Sequence, residues 1–170
     1  MKRILILLGG LGLCAASPAH AGELFGGLFV HDIDSPLTAS GIEKGLDVQL
    51  GWRGGRIGRT PIQPYVFGAL NTSGETSYAA AGISAKFGDR VYVRPGLGLA
   101  IHSGSDGNFQ RPDRIAFGSR LLFEPEIGIG IELSDRASIE ASWVHMSHGQ
   151  LFGRQNPGID NFGMRLNLDL

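Results

Sequence analysis

Apolar and polar residues alternate along much of this chain with a period of two. The clearest stretch covers residues 120–133. One face of it is apolar and consists of Leu121, Phe123, Pro125, Ile127, Ile129, Ile131 and Leu133. Only a β-strand directs every second side chain to the same side. The alternation recurs near residues 23–32, 46–52, 62–71, 76–87, 91–102, 138–147 and 161–170. The pattern therefore predicts eight strands.

The second face of these strands is polar or small. It combines glycine and alanine with charged residues, namely Lys86, Arg94, Arg120, Glu124, Glu126, Glu132, Glu140, Arg165 and Asp169. Such a face suits a narrow lumen in which opposite charges pair, while the apolar face meets lipid. We therefore predict an all-β fold, an eight-stranded antiparallel transmembrane β-barrel. The alternative is a periplasmic β-sandwich whose charged face is solvated.

The lengths of the connections predict how such a barrel is oriented. An even number of strands places both chain termini at the periplasmic end. Short connections near residues 88–90 and 134–136 fit periplasmic turns. Long connections at residues 103–119 and 148–160 fit the outer loops of this class of barrel.

The first 21 residues are typical of a secretory signal peptide. A basic start, Lys2-Arg3, precedes an apolar stretch from Ile4 to Ala16. The segment Ala19-His20-Ala21 then supplies the small-x-small pattern for cleavage. We expect residues 1–21 to be removed and residues 22–170 to form the outer-membrane β-barrel domain.

Composition excludes several classes of function. The formal net charge is −1, so there is no general basic surface for nucleic acid. The single cysteine, Cys14, leaves with the signal peptide, which excludes disulfides, a cysteine nucleophile and a thiolate metal site. No cluster of His, Asp and Glu has convincing metal-ligand spacing. We therefore expect neither a metal nor another cofactor.

Three residues with catalytic potential share the outward face of the last two predicted strands. His145 and Ser147 have the parity of the apolar Trp143, and Asp160 has the parity of Phe162. Residues two apart in a strand are separated by about 6.6 Å, which lets an imidazole reach a hydroxyl. Directly paired residues on adjacent strands have Cβ atoms roughly 5 Å apart. In a suitable register, the Asp160 carboxylate therefore meets His145.

This set suits nucleophilic ester hydrolysis. Asp160 would orient His145, which would take the proton of Ser147 as the hydroxyl attacks a carbonyl. Oxyanion donors could come from backbone N–H groups around His148 and Gly149, or from the Asn156 side chain. A single His or Ser near a strand end is ordinarily just interfacial. Three such residues on one face at the outer end of neighbouring strands are more specific.

The C-terminal half resembles a known family. The segment His145-Met146-Ser147, the downstream Asn156-Pro157-Gly158-Ile159-Asp160 and the final alternating strand are similar to the signature of outer-membrane lipid A 3-O-deacylases, the PagL family. The resemblance extends from about Arg94 to Leu170. It implies an eight-stranded barrel that hydrolyses the ester-linked acyl chain at the 3 position of lipid A. It also implies that His145 is the general base, Ser147 the nucleophile and Asp160 the acid, without a metal.

The chain departs from the family pattern at two positions. The usual acid of the family is Glu, whereas Asp160 is one methylene shorter. An Asn commonly follows the serine, whereas this chain has His148. The resemblance therefore makes Asn156 the better side-chain candidate for the oxyanion.

Two other functions fit the same sequence. One is a non-enzymatic outer-membrane barrel that stabilises the envelope or mediates adhesion through its outer loops. The other is a transacylase or phospholipase, because the same nucleophile can attack other esters. The partners expected for a deacylase are lipid A, or lipopolysaccharide, and the surrounding outer-membrane lipids. Pairing of two barrels into a homodimer stays open.

Overall fold

The structure is a computed structural model that describes residues 22–36, 38, 41–108 and 113–170. The predicted signal peptide, residues 1–21, lies outside these residues. Eight strands follow one another along the chain. They are β1 (Glu23–Val30), β2 (Leu46–Arg53), β3 (Ile62–Asn71), β4 (Tyr78–Ala85, resumed at Phe87–Gly88), β5 (Val91–His102), β6 (Leu121–Ser134), β7 (Ala137–Met146) and β8 (Ile159–Asp169).

The eight strands close into an antiparallel barrel. Each strand pairs with its neighbours in sequence, and β1 pairs with β8 from Glu23 opposite Asp169 to Val30 opposite Phe162. Closure leaves no unpaired sheet edge, so the backbone polar groups of every strand are satisfied within the barrel. The predicted fold class and the number of strands are confirmed.

The outer surface of the barrel is apolar. Large apolar side chains of seven of the eight strands are exposed on it, among them Leu28, Leu50, Leu70, Ile83, Leu97, Ile129, Trp52 and Met164, whereas the outward side chains of β7 are half-buried. A soluble protein rarely exposes a continuous apolar surface of this extent. Within the described ranges, no helix is long and apolar enough to cross a bilayer.

The interior is charged and fully packed. Three arginines, Arg53, Arg94 and Arg165, are among the most deeply buried side chains. Arg165 lies 2.7 Å from a carboxylate oxygen of Glu126 and 3.6 Å from one of Glu140. A buried charge is tolerated when it is paired in this way, and loss of one partner typically costs about 3–5 kcal/mol. Small residues make room for these groups.

Glycines on the lumen face supply that room. A Cβ atom added to Gly128 would lie 2.5 Å from the carboxyl group of Glu140, and one added to Gly96 would lie 2.7 Å from Glu126. The prediction that charged and small residues share the lumen is thus confirmed in its main part. Arg120 and Asp169 have the parity of this face but are exposed, because their strands begin or end there.

The two ends of the barrel differ. Short turns at residues 89–90 and 135–136 lie at the same end as the start of β1 and the end of β8. The long connections between β1 and β2, β5 and β6, and β7 and β8 lie at the opposite end, which we call the outer end. Ile115 and Phe117 from the β5–β6 connection are buried there in the core cluster, together with Met146 and Ile159. This packing fixes the outer ends of β7 and β8.

Candidate active site

The pairing of β7 with β8 places the first two candidate residues directly opposite one another. His145 is the register partner of Asp160, one step inward from the last pair, Met146 and Ile159. The Met146 and Ile159 side chains point inward and are buried. Because side-chain direction alternates, His145 and Asp160 project to the outside of the barrel.

Ser147 follows the last residue of β7 but keeps the strand geometry. Its N–H donates to the carbonyl of Phe123 on β6 (3.1 Å), and its carbonyl accepts from the N–H of Phe123 (2.8 Å). These two hydrogen bonds form an isolated bridge in the register of the β6–β7 ladder, whose last continuous pair is Glu126 and Val144. They fix the direction of the serine hydroxyl, which lies on the same outer face as His145.

The three side chains form a continuous chain of hydrogen bonds. Nδ1 of His145 lies 2.7 Å from Oδ1 of Asp160, and Nε2 lies 2.9 Å from Oγ of Ser147. An ionised carboxylate can only accept hydrogen bonds, so Nδ1 carries the proton and Nε2 is left as an acceptor. In this tautomer, the Ser147 hydroxyl donates to a neutral imidazole that is ready to take its proton.

Asp160 is shielded although it projects outward. The residue is fully buried, whereas the His145 side chain keeps 13% of its surface exposed. The shield is the β1–β2 connection, in which the hydroxyl of Ser35 donates to Oδ2 of Asp160 and the Thr38 hydroxyl donates to the same oxygen at 3.3 Å. The two carboxylate oxygens therefore have separate partners.

Sequence reasoning did not identify Ser35 and Thr38. They are separated from Asp160 by 125 and 122 positions, and they belong to a polar connection without periodicity. Nothing in the spacing of hydroxyl residues distinguishes these two from other loop serines and threonines. Only the folded path of the β1–β2 connection brings them to the carboxylate.

The predicted oxyanion residues differ in whether their N–H groups are already hydrogen-bonded. The His148 N–H donates to Oδ1 of Asn156 at 2.8 Å, and the His148 ring is bound through Nε2 to the carbonyl of Gln155, also at 2.8 Å. The N–H of His148 is therefore occupied within the β7–β8 loop. Over the described ranges, the N–H of Gly149 and the Nδ2 group of Asn156 make no hydrogen bond to protein.

Glycine is required at position 158 for two reasons. Gly158 has a φ of +68°, in the left-handed region that side chains rarely adopt. A Cβ atom there would also lie 3.0 Å from Cγ2 of Thr38 and 3.3 Å from Cε1 of His145. A side chain at this position would therefore press against both Thr38 and the imidazole of His145.

An apolar strip continues from the three candidate residues toward the middle of the barrel wall. Trp143 and Phe162 are register partners directly below His145 and Asp160, and the ring of Trp143 lies 5.9 Å from the imidazole. Val30 and Leu28 of β1 pair with Phe162 and Met164 and are exposed beside them. The hydroxyl of Ser147 therefore stands at the end of a surface suited to alkyl chains.

A second polar cluster anchors the β1–β2 connection from the lumen side. Nδ1 of His31 lies 2.9 Å from Asp47, and Nε2 lies 3.1 Å from Glu43. Glu43 also accepts from the backbone N–H groups of Thr76 and Ile115, each at 3.0 Å. The Glu43 carboxylate thus ties together three outer connections.

The charge of His31 is set by this cluster. Burial alone lowers the pKa of an imidazole, but the hydrogen bonds and charges of Asp47 and Glu43 outweigh it and raise the pKa of His31 from 6.5 to about 9. Asp32 adds a third nearby carboxyl group. Burial would raise the pKa of Glu43, but the hydrogen bonds from His31, Ile115 and Thr76 lower it below its usual value.

We expect this histidine to make stability depend on pH. A pKa raised by folding contributes stability that is complete below about pH 6.5 and is lost as the pH rises through about 9. The contribution is on the order of 3 kcal/mol. Thermal unfolding of the wild type and of His31→Gln should differ most at pH 6–7, and the difference should shrink toward pH 10. A difference that is constant over this range would contradict the assignment.

Within the described part of the chain, no group of three or more His, Cys, Asp or Glu residues is arranged to hold a metal ion. Glu140, the acid close in sequence to His145, lies on the lumen side with Arg94 at 3.2 Å. The Nε2 atom of His102 lies 2.8 Å from the carbonyl of Ser119, because the β5–β6 connection folds back over it.

Solved structures with the same fold are outer-membrane barrels. The crystal structure of the outer membrane enzyme PagL matches with a TM-score of 0.56 and 19% identity, over 89% of this chain and 100% of that chain. Neisserial surface protein A matches with a TM-score of 0.56 and 15% identity, over 88% of this chain and 97% of that chain. The Yersinia pestis outer membrane protein Ail matches with a TM-score of 0.53 and 10% identity, over 89% of this chain and 100% of that chain. At these identities the likeness concerns the fold.

The sequence itself matches a family model. Among curated proteins no sequence matches significantly. The model for lipid A 3-O-deacylase (PagL) matches residues 44–169, which include His145, Ser147 and Asp160 and cover about three quarters of the chain. The chain therefore belongs to the lipid A 3-O-deacylase family, whose members are ester hydrolases of the Gram-negative outer membrane.

Proposed function

We propose that this barrel removes the acyl chain at the 3 position of lipid A by nucleophilic catalysis, with Ser147 as nucleophile, His145 as general base and Asp160 as the orienting acid. The observation that carries the proposal is the hydrogen-bonded chain from Ser147 through His145 to Asp160 on the outside of the barrel. All three groups come from one chain. A single barrel is therefore sufficient, and the mechanism does not require a homodimer.

The first half of the reaction forms an acyl-enzyme. Nε2 of His145 takes the proton of the Ser147 hydroxyl while Oγ attacks the ester carbonyl, and the ionised Asp160 stabilises the resulting imidazolium. The tetrahedral oxyanion then collapses. His145 returns the proton to the departing 3-hydroxyl of lipid A, and the acyl chain remains on Ser147.

The second half restores the enzyme. Water enters the site, His145 takes one of its protons, and the hydroxide attacks the acyl-serine carbonyl. The bond to Oγ breaks, Ser147 recovers its proton from His145, and a free fatty acid leaves. The net reaction is the hydrolysis of one ester by one water molecule, with no redox partner.

The oxyanion needs donors whose hydrogen bonds are not already used. We propose the N–H of Gly149 and the Nδ2 group of Asn156 for this role. Oδ1 of Asn156 is held by the N–H of His148, which fixes the plane of the amide group. The N–H of Ser147 is held by Phe123 and the N–H of His148 by Asn156, so neither of these two is a candidate.

The position of the site suits a substrate that never leaves the bilayer. Lipid A occupies the outer leaflet, and the three residues lie at the outer end of β7 and β8. An acyl chain that is already in the membrane can lie along Trp143, Phe162 and Met164 with its ester near Ser147. Because the acyl chain is already in an apolar medium, the strip contributes packing contacts and no hydrophobic transfer free energy.

The experiment that tests the proposal is a comparison of lipid masses. Cells that express the barrel should contain lipid A lighter by one ester-linked acyl chain, with phospholipids unchanged. Cells that express Ser147→Ala should contain unmodified lipid A. A matched control, Ser73→Ala, changes an exposed serine at the outer end that lies outside the three residues, and it should behave as the wild type.

Two other outcomes would overturn the proposal. A mass loss in phospholipids instead of lipid A would indicate a phospholipase. Lipid A that is identical in cells with and without the folded barrel would indicate a non-enzymatic envelope protein.

A further inference from the structure

The β1–β2 connection is docked onto the first residues of β8. The N–H of Ile33 donates to the carbonyl of Asp160 at 2.8 Å, and the N–H of Asp32 donates to Oδ1 of Asn161 at 2.9 Å. These contacts hold the start of the connection beside the outward-facing carboxylate. The family match covers residues 44–169, so this segment precedes the matched part of the chain.

The base of the connection is closed by a second set of hydrogen bonds. The Asp32 carboxylate accepts from the N–H groups of Ile42 and Glu43 at 2.7 and 2.8 Å. The His31 and Glu43 side chains meet on the lumen side. The connection is therefore anchored at both of its ends, and Ser35 and Thr38 between them lie beside Asp160.

The hydroxyl groups in this middle part meet only one of the two carboxylate oxygens. Ser35 and Thr38 donate to Oδ2 of Asp160, while Oδ1 faces Nδ1 of His145. A carboxylate without donors at Oδ2 can turn about its Cβ–Cγ bond, which moves both oxygens out of line with the imidazole. Two donors at Oδ2 hold the plane of the carboxylate in the orientation in which Oδ1 meets Nδ1 of His145.

The same hydroxyls also supply hydrogen-bond donors to a carboxylate that is shielded from water. Asp160 projects from an apolar barrel wall and is fully buried, so water does not reach its oxygens. A buried carboxylate remains ionised only when hydrogen-bond donors replace the lost water. Ser35 and Thr38 supply such donors from a connection that is remote in sequence.

We propose that Ser35 and Thr38 are positioning residues for the deacylase, which act through Asp160 to hold His145 in its reactive orientation and tautomer. This inference rests on the proposed function and adds the β1–β2 connection to the catalytic machinery. Neither hydroxyl touches the substrate in this account. Their removal should therefore lower the rate of the chemical step and leave substrate binding nearly unchanged.

The test compares variants that keep and remove the hydroxyl groups. The full-length mature barrel is reconstituted with lipid A in phospholipid vesicles, and kcat and KM are measured from the release of fatty acid. We expect Ser35→Ala combined with Thr38→Val to lower kcat on the order of 10- to 100-fold, with KM changed less than about twofold. Thr38→Val has nearly the shape of threonine, so it removes the hydroxyl without creating a cavity.

Thr38→Ser supplies the rescue. When it is combined with Ser35→Ala, it restores the donor at position 38 but removes the methyl group near Gly158. If the hydroxyl matters, this pair should be several-fold faster than the pair with valine. If packing matters, the order should reverse. Thr72→Val, at an exposed threonine of the same barrel end, is the matched control and should keep the wild-type kcat.

The outcomes separate this inference from the function on which it rests. A wild-type kcat in the doubly hydroxyl-free variant, or a loss that serine at position 38 does not repair, would overturn the inference. If Ser147→Ala is inactive in the same assay, the proposed function then still stands. If Ser147→Ala is active, the proposed function itself fails. The mobility of unheated samples in gel electrophoresis verifies that every variant is folded.

Discussion

Alanine in place of Ser147 is expected to lower kcat for lipid A deacylation on the order of 10⁴-fold or more, because the acyl-enzyme can no longer form. His145→Ala should cause a loss of similar size, since the hydroxyl of Ser147 then has no base at 2.9 Å. Residues that act as one unit are not additive. The double variant should therefore be little slower than either single variant. Release of fatty acid from lipid A in vesicles measures all three.

The double variant also tests whether Ser147 and His145 act as one unit. If the double variant is slower than each single variant by the product of the two losses, Ser147 and His145 act independently, and the proposed proton transfer between them is wrong. Both side chains lie partly exposed on the barrel exterior, so their replacement should not unfold the protein.

Asparagine in place of Asp160 is expected to lower kcat on the order of 10³- to 10⁴-fold. The substitution keeps the size and shape of the side chain but removes the charge that stabilises the imidazolium. It also allows an amide N–H to face Nδ1, which would force the proton of His145 onto Nε2 and block the acceptance of the serine proton. The measurement is again kcat in lipid A vesicles.

Asp160→Glu is the matched control, because it retains the charge and introduces the acid that is usual in the family. We expect Asp160→Glu to retain far more activity than Asp160→Asn. Equal losses in the two variants would mean that the length of the side chain, and not its charge, determines the contribution of this residue.

Much of the fold follows from the sequence because strand parity is a local property. The alternation at residues 121–133 is sufficient to predict a strand and its two faces, and the charged face indicates which side becomes the lumen. Parity also places His145 and Ser147 on one outward face. The ends of the strands are less accessible to this reasoning, because parity does not show that Arg120 and Asp169 are exposed at the two ends of the barrel.

The geometry of the site depends on contacts that the alternation of side chains along a strand does not predict. The pairing of His145 with Asp160 requires the register between β7 and β8, which the 12 residues between Ser147 and Asp160 do not fix. The burial of Asp160 requires the path of the β1–β2 connection. Whether the predicted oxyanion donors are already hydrogen-bonded depends on the bond from His148 to Asn156 within one loop. These features are tertiary and appear only in the folded chain.

The fold by itself does not establish that the barrel is an enzyme. The outer membrane enzyme PagL and neisserial surface protein A match this barrel with the same TM-score of 0.56. We propose that the few side chains at the outer ends of β7 and β8 make the distinction. The family match includes these residues, and their polar atoms lie within hydrogen-bond distance of one another.

The most direct test of the account is covalent labelling of the nucleophile in the folded barrel. The mature protein in phospholipid vesicles is treated with a long-chain alkyl phosphonate ester, a reagent that partitions into the bilayer and phosphonylates activated serines. The protein is then digested and analysed by mass spectrometry. The account predicts one phosphonyl group, located on Ser147, and no label in His145→Ala. A label on another residue of the active wild type, or equal labelling of Ser147 without His145, would contradict the account.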